Sequence, residues 1–312
     1  MKKRILLIDS ANIFHSKKYS YIQGAETNII EPFLTEIRDI VFKLQPDMVV
    51  LLNDKYKSRY RAELTKDYKA HRIERMKKYT NKQLEGEALV KSLKNNLHLF
   101  KGVFIDGNLD QVEADDMIGM LSLDIRLKDF DFIAVTTDKD MSTVLPLNKI
   151  YDWKKQRFKI AEDVYGLDRN EFLFFTSLVG DSADNFKGVK GCGEKTALKL
   201  VQKYKTINNL LQNAYEDSFD EKDSYVRKAL QRLCTVEGRE ELKLGYHLAK
   251  IFRNTEYLNE TELKRYEEII QDILNYRKPE PNSYFSEDLD NFFIESKSYD
   301  GERIMSEIGE FL

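Results

Sequence analysis

The feature that most limits what this chain can become is a set of short apolar runs, each bounded by charge and each closing on a carboxylate. Arg4 to Ile8 ends at Asp9, Met48 to Leu52 is followed by Asp54, Gly102 to Asp106 carries its own acid, and Asp131 to Thr137 leads into Asp138 and Asp140. Runs of this length without polar alternation are strands buried on both faces. Between them lie stretches with helical spacing, clearest at 29–44, where Ile30, Phe33, Leu34, Ile37, Ile40, Val41 and Leu44 share one face. Strands alternating with helices predict an α/β fold, a parallel sheet flanked by helices. Ligands of open parallel sheets collect beyond the carboxyl ends of the strands. That is where the acids stand.

The densest group is Val112-Glu113-Ala114-Asp115-Asp116, which opens an apolar helical run, Met117 to Leu121. A helix N-terminus welcomes negative charge, and capping accounts for one or two of these acids. Three within four residues repel one another and raise each other's pKa unless cations sit among them. A hard divalent cation with oxygen ligands is the simplest compensator; the alternative is a solvated acidic first turn.

With 312 residues and 42% hydrophobic content, the chain is long enough for one large domain or two moderate ones. No apolar run approaches the ~20 residues that a bilayer requires, and the basic start at Met1 runs into a strand instead of a signal sequence. Cys192 and Cys234 suit neither a disulfide framework nor a zinc site, so a reducing cytoplasm is the expected compartment.

The net charge is −3, yet residues 55–95 carry nine Lys and four Arg against five acids, a local +8 that leaves −11 elsewhere. Such an island predicts a polyanion site. Its core interleaves cations with tyrosines: Lys55, Lys57, Arg59, Arg61, then Tyr68, Lys69 and Arg72. That pattern grips phosphates while offering stacking faces to bases; the competing reading is a charged helical face with tyrosines packed inward.

Further on, 148–153 and 156–160 read as a short strand pair, and a helix over 169–179 ends in Gly180-Asp181-Ser182-Ala183-Asp184-Asn185. Gly188, Gly191 and Gly193, with Lys190, Lys195 and Thr196, then precede another helical run. Bare backbone N–H groups of such a hairpin can approach a phosphate.

In order and spacing these motifs resemble the flap endonuclease/5′–3′ exonuclease family, closest to its bacteriophage-type members, over residues 1 to 235. The resemblance implies a PIN-like 5′-nuclease sheet with a helical arch at about 55–95 in residues 1–165. It implies a helix-hairpin-helix DNA-binding region at 166–235, and leaves 236–312 as a helical C-terminal part. It implies a monomeric structure-specific 5′ nuclease using two Mg²⁺ or Mn²⁺ ions on DNA or RNA–DNA hybrids with a 5′ flap, as in primer removal during replication or repair. Asp9, Asp54, Glu113, Asp115 and Asp116 would form one metal site; Asp138, Asp140, Asp181 and Asp184 would form or support a second. Lys69 and Arg72 match arch positions that contact the scissile phosphate, and the 188–197 hairpin matches the duplex clamp, often with a K⁺ ion. A PIN-like ribonuclease and a non-catalytic DNA-binding accessory protein are the competing classes. Beyond a Pro-rich break at 278–282, Leu289, Phe292 and Phe293 resemble the peptide with which replication enzymes dock into a sliding clamp; a single-strand-binding protein is an alternative partner. The competing reading folds these three side chains onto the enzyme's own core.

Overall fold

The computed structural model describes residues 2–25, 28–54, 56–100, 103–277, 286–298 and 300–312. The Pro-rich break at 278–282, Lys55 and Gly102 lie outside the described residues.

The expected strands form. β1 (Lys3–Asp9) leads into α1 (Ser10–Ile22) and α2 (Ile30–Leu44), then β2 (Met48–Leu52). The basic stretch that follows folds as α3 (Arg59–Leu64), α4 (His71–Met76) and α5 (Asn81–Asn96), with α5 started by a Thr80/Gln83 capping box. β3 (Ile105–Asp106), α6 (Ala114–Leu123), β4 (Phe130–Val135), β5 (Ile150–Asp152) and β6 (Arg157–Phe158) complete the sheet. Its order is β3-β2-β1-β4-β5-β6, with every pairing parallel except β5 with β6.

Two strands differ from expectation. The run ending at Asp106 pairs only at Ile105 and Asp106, because it is the sheet edge and β2 offers it just Val50 and Leu51. β4 stops at Val135, which frees Thr136 and Thr137 to begin the loop that carries Asp138.

From β1 the chain crosses to β2 on one side and meets β4 on the other, so strand order reverses at β1. A crevice opens at the carboxyl ends of strands where order reverses. Asp9 is aligned there, opposite Leu52 of β2, while Ile8 faces Val135 of β4.

The second half is helical: α7 (Arg169–Val179), a two-stranded hairpin of β7 (Gly180–Asp181) and β8 (Phe186–Lys187), α8 (Glu194–Tyr204), α9 (Ile207–Asp220), α10 (Ser224–Leu233) and α11 (Val236–Ala249). Their shared core includes Leu242 of α11, so this unit runs past the break expected at 235. α12 (Glu260–Asn275) returns to the sheet, where Tyr266, Ile269, Ile270 and Ile273 cover one face.

The other face is closed by α2, α5 and the last two helices, α13 (Glu287–Glu295) and α14 (Gly301–Phe311). This corrects the docking reading of the tail. Leu289, Phe292 and Phe293 are 0%, 7% and 2% exposed. Both phenylalanine rings stand about 6 Å from Phe100, at centroid distances of 6.2 and 6.1 Å. The sequence pattern was correct for an amphipathic turn, but its partner is intramolecular, since two aromatics gain more by leaving water here than by waiting exposed.

Candidate metal centre and nucleic-acid interface

Each acid arrives by a separate local device. Asp9 caps α1, accepting from the Asn12 N–H at 3.1 Å. Asp54 accepts from the Ala114 N–H at 2.8 Å and so ties the end of β2 to the start of α6. Glu113 is the residue before α6, with Asp115 and Asp116 in its first turn. Asp138 and Asp140 follow β4, and Asp138 accepts from the Asp140 N–H at 2.8 Å. Asp181 and Asp184 ride the β7–β8 turn. That turn depends on glycine: Gly180 has φ +79°, and a Cβ on Gly188 would fall 2.1 Å from the Leu178 carbonyl oxygen.

These elements bring Asp9, Asp54, Glu113, Asp115, Asp138, Asp140, Asp181 and Asp184 to the wall of one cavity of about 540 Å³. Glu113, Asp115 and Asp116 each place one oxygen within 4.8 Å of the others. Both Asp116 oxygens are also held by Arg61, at 2.6 and 3.0 Å, and Asp116 is fully buried.

The electrostatics follow from the crowding. Burial, then the Asp54 charge, push the Asp9 carboxyl up to about 7. Burial, then Asp116, hold Asp115 well above the usual carboxylate range. Burial, then Asp138 and Asp181, do the same to Asp140. Asp184 is also raised, by burial first; Asp138 is raised by desolvation of its carboxyl at the cavity wall and then by Asp184 and Asp181, although the residue as a whole is exposed. Asp54 goes the other way: burial pushes it up, but Lys69, Lys94, the Ala114 N–H and Arg72 together lower it.

The donor set fits divalent cations. It consists of clustered carboxylate oxygens, of which Asp9, Asp115, Asp138, Asp140 and Asp184 are raised by desolvation first and by neighbouring charge second, and Asp140 Oδ1 is buried without a hydrogen-bond partner. Such an oxygen costs free energy unless a cation faces it.

The basic island divides in a way its sequence does not announce. Arg61 and Tyr68, expected to face nucleic acid, are 2% and 0% exposed. Arg61 bonds Glu113 at 3.1 Å as well as Asp116, and also donates to the Leu248 and Lys250 carbonyls. The Tyr68 hydroxyl donates to Glu113 at 2.7 Å and to Asp184 at 3.1 Å. Both are therefore corrected to supports of the carboxylates: an acidic cluster this buried recruits the nearest cation and hydroxyl before any ligand arrives. Arg59 is tied to Glu262 at 3.0 Å.

Lys69 sits among the acids, 2.6 Å from Glu113, 3.6 Å from Asp184 and 4.0 Å from Asp54. Burial alone would lower its pKa, yet these three charges raise it. It adopts φ +55°, unusual for lysine, and its N–H donates to the Asp184 carbonyl at 2.8 Å. Arg72 bonds Asp184 at 3.0 Å with its side chain 42% exposed. Lys57 is exposed at the cavity rim beside Tyr56.

A second cavity, of about 1350 Å³, shares Asp138, Asp140, Asp181, Ala183 and Phe186 with the first. Its far wall is the hairpin Gly188, Lys190, Gly191, Gly193, Lys195 and Thr196. Gly191 has φ +83°, and Gly193 begins α8 with no side-chain cap, so first-turn N–H groups of α8 stay open to an anion. Sequence reasoning passed over His15, Asn12 and Lys94, which also line the metal cavity. Lys94 donates to the Asp54 carbonyl at 3.0 Å; only its place in the basic island hinted at it.

Carboxylates at parallel strand ends, a cationic arch over them and a glycine hairpin alongside are the layout of a 5′-nuclease fold. The chain belongs to the 5′–3′ exonuclease family: residues 4–168 match its N-terminal resolvase-like domain and 168–271 its C-terminal SAM fold. It is 33% identical over 202 residues to a 5′–3′ exonuclease of Bacillus subtilis, covering 61% of this chain and 64% of that one. It is 29% identical over 269 residues to DNA polymerase I of Lactococcus lactis subsp. cremoris, covering 78% of this chain and 30% of the polymerase. The chain thus spans about a quarter to a third of the length of the polymerases it matches. Among solved structures, a bacteriophage T5 flap endonuclease in complex with DNA and metal ions superposes with a TM-score of 0.70 at 19% identity, covering 88% of this chain and 100% of that one. Among the described residues, no helix is long and apolar enough to cross a membrane.

Proposed function

We propose that this protein is a divalent-metal-dependent 5′ nuclease that hydrolyses phosphodiesters where a 5′ single strand meets a duplex. The reading rests on one observation: the carboxylate cavity and the hairpin groove share a wall at Asp138, Asp140 and Asp181. A duplex held by its backbone at the hairpin would meet the carboxylates where its strand continues. Two Mg²⁺ or Mn²⁺ ions would be held by Asp9, Asp54, Glu113 and Asp115 on one side and by Asp138, Asp140, Asp181 and Asp184 on the other, with Asp116 anchoring Arg61. When bound, such ions supply a deprotonated water and stabilise charge on the leaving oxygen. The chain's own part is positional. Lys69 and Arg72 stand over the carboxylates and would orient the scissile phosphate; Lys57 and Tyr56 would meet the incoming strand. Lys190, Lys195 and the open N–H groups of α8 would hold the duplex backbone without reading sequence, with a K⁺ ion at the hairpin completing that contact. The work is that of a monomer in the cytoplasm, on flapped DNA or RNA–DNA hybrids left by replication or repair.

The test is cleavage of a 5′-flap duplex compared with a single-stranded RNA, each with Mg²⁺ or with chelator. Mg²⁺-dependent cutting near the junction supports the reading. Preference for the single-stranded RNA would make the protein a PIN-like ribonuclease, and duplex binding without cutting would make it an accessory protein.

A further inference from the structure

The second carboxylate set hangs on a loop, 136–140, whose conformation is fixed by side chains that have no place in the acidic constellation. Thr137 is the pivot. Its N–H and its hydroxyl both donate to Asn12 Oδ1, at 3.2 and 2.9 Å. Its carbonyl accepts from Lys159 Nζ at 2.9 Å. The same Asn12 oxygen accepts from Trp153 Nε1 at 2.8 Å.

This arrangement is costly to build. Lys159 is an ammonium with 2% of its side chain exposed, 3.8 Å from the 5%-exposed carboxylate of Asp152. Trp153 is 5% exposed and is the only tryptophan in the chain. A buried ion pair contributes little net stability, so what this one supplies is geometry. One residue after the pivot comes Asp138; one residue before it, the Thr136 hydroxyl donates to Asp9 Oδ2 at 3.2 Å and accepts from the Asp138 N–H at 3.1 Å. Asn12 in turn gives its own N–H to Asp9. The network therefore spans from β1 to β6 and links the carboxylate of the first set to the loop of the second.

We propose that Asn12, Trp153 and Lys159 are positioning residues that set the reach of Asp138 and Asp140 toward a divalent cation, and that Trp153 is a built-in reporter of cation binding there. The inference rests on the metal-dependent reading above. Outer partners that orient metal ligands typically contribute 10- to 100-fold in metal affinity. Here the oriented group is a backbone peptide instead of a ligand, and the lever is Thr137.

The experiment is Mn²⁺ binding to the whole chain without nucleic acid, read by electron paramagnetic resonance, alongside tryptophan fluorescence. In the wild type, Mn²⁺ changes the Trp153 emission at the same concentration at which it binds. Lys159→Met weakens Mn²⁺ binding at the Asp138/Asp140 site by about 10- to 100-fold and moves half-maximal cleavage to higher metal, with turnover restored at saturation. Lys159→Arg, which keeps the donor, recovers much of the loss. Trp153→Phe, which keeps an aromatic ring and removes the N–H, weakens the same site by a smaller factor and decides the matter should Lys159→Met not fold. Unchanged Mn²⁺ affinity in the folded variants, with only a lower melting temperature, overturns the brace. A wild type that binds no Mn²⁺ overturns the metal-dependent reading itself, so the two failures are distinct.

Discussion

The two carboxylate sets face one cavity but are compensated differently. Around Glu113, Asp115 and Asp116 the protein supplies its own cations: Arg61 and Lys69 are buried against them, and Lys94 lies within Coulombic reach of Asp54. Around Asp138 and Asp140 the only buried cation bonded to the loop is Lys159, among the described residues, and it donates to a backbone carbonyl and faces Asp152 rather than either of these carboxylates. Asp140 keeps an oxygen with no partner at all. The first set is a finished ion network that an incoming metal must compete with; the second is poised for a charge from outside. Preorganisation and affinity are thus divided between two halves of one site.

The sharpest way to break this comparison is Asp115→Asn, which should lower cleavage by about 10³-fold or more while leaving flap binding nearly intact, since the basic grip is untouched. Near-normal turnover at saturating Mg²⁺ would remove Asp115 from the chemistry. Lys69→Ala should lower the single-turnover rate by about 10²-fold, beyond any loss of binding; weaker, more salt-sensitive binding at an unchanged rate would make it a mere backbone contact.

Stability should then split by sign. Arg61→Met strands Asp116 beneath the cavity and should cost about 3–5 kcal/mol, read as a lowered urea midpoint. Asp140→Asn removes one of several repelling charges and should raise the melting temperature of the metal-free protein by about 2–4 °C. Equal signs would end the distinction between the sets.

The last effect is in pH, and it is moderated by the interaction of Asp9 with its neighbours. A carboxyl pushed up to about 7, as for Asp9, binds a proton in the folded state that the unfolded chain has already released above its ordinary pKa of 3.8. The metal-free protein should therefore lose stability as pH rises from about 4 to about 7 and change little above that. Mg²⁺ should reverse much of that loss at pH 8 and little at pH 5, in melting curves with and without chelator.

Much of this was legible from the chain alone, because apolar runs that end in acids say both where the strands are and where their carboxyl ends point. The fates of Arg61 and Tyr68 were not. Alternating cations and tyrosines look alike whether α3 faces outward or folds onto the acids, and only the buried demand of Glu113 and Asp116 decides. The docking reading of Leu289, Phe292 and Phe293 failed for a related reason, while the competing core reading held: their spacing defines an apolar face without naming the surface that meets it. Lys159 left no mark because its hydrogen bond goes to a backbone carbonyl, which carries no residue identity, and Asn12 because the Thr137 and Trp153 groups it accepts from lie more than 120 positions away.

The burial of α13 and α14 also has a temporal side. Arg38 on α2 pairs with Glu307 on α14, 269 positions later. At about 5–20 residues per second, a ribosome needs roughly 10–50 s to cover that interval. During that time the nascent sheet has one face without its last cover, and Phe100 waits without the rings that will flank it. The nuclease half, although encoded first, is therefore among the last parts to become native, and a chain halted before α13 would leave the ribosome with its apolar face open to chaperones and proteases.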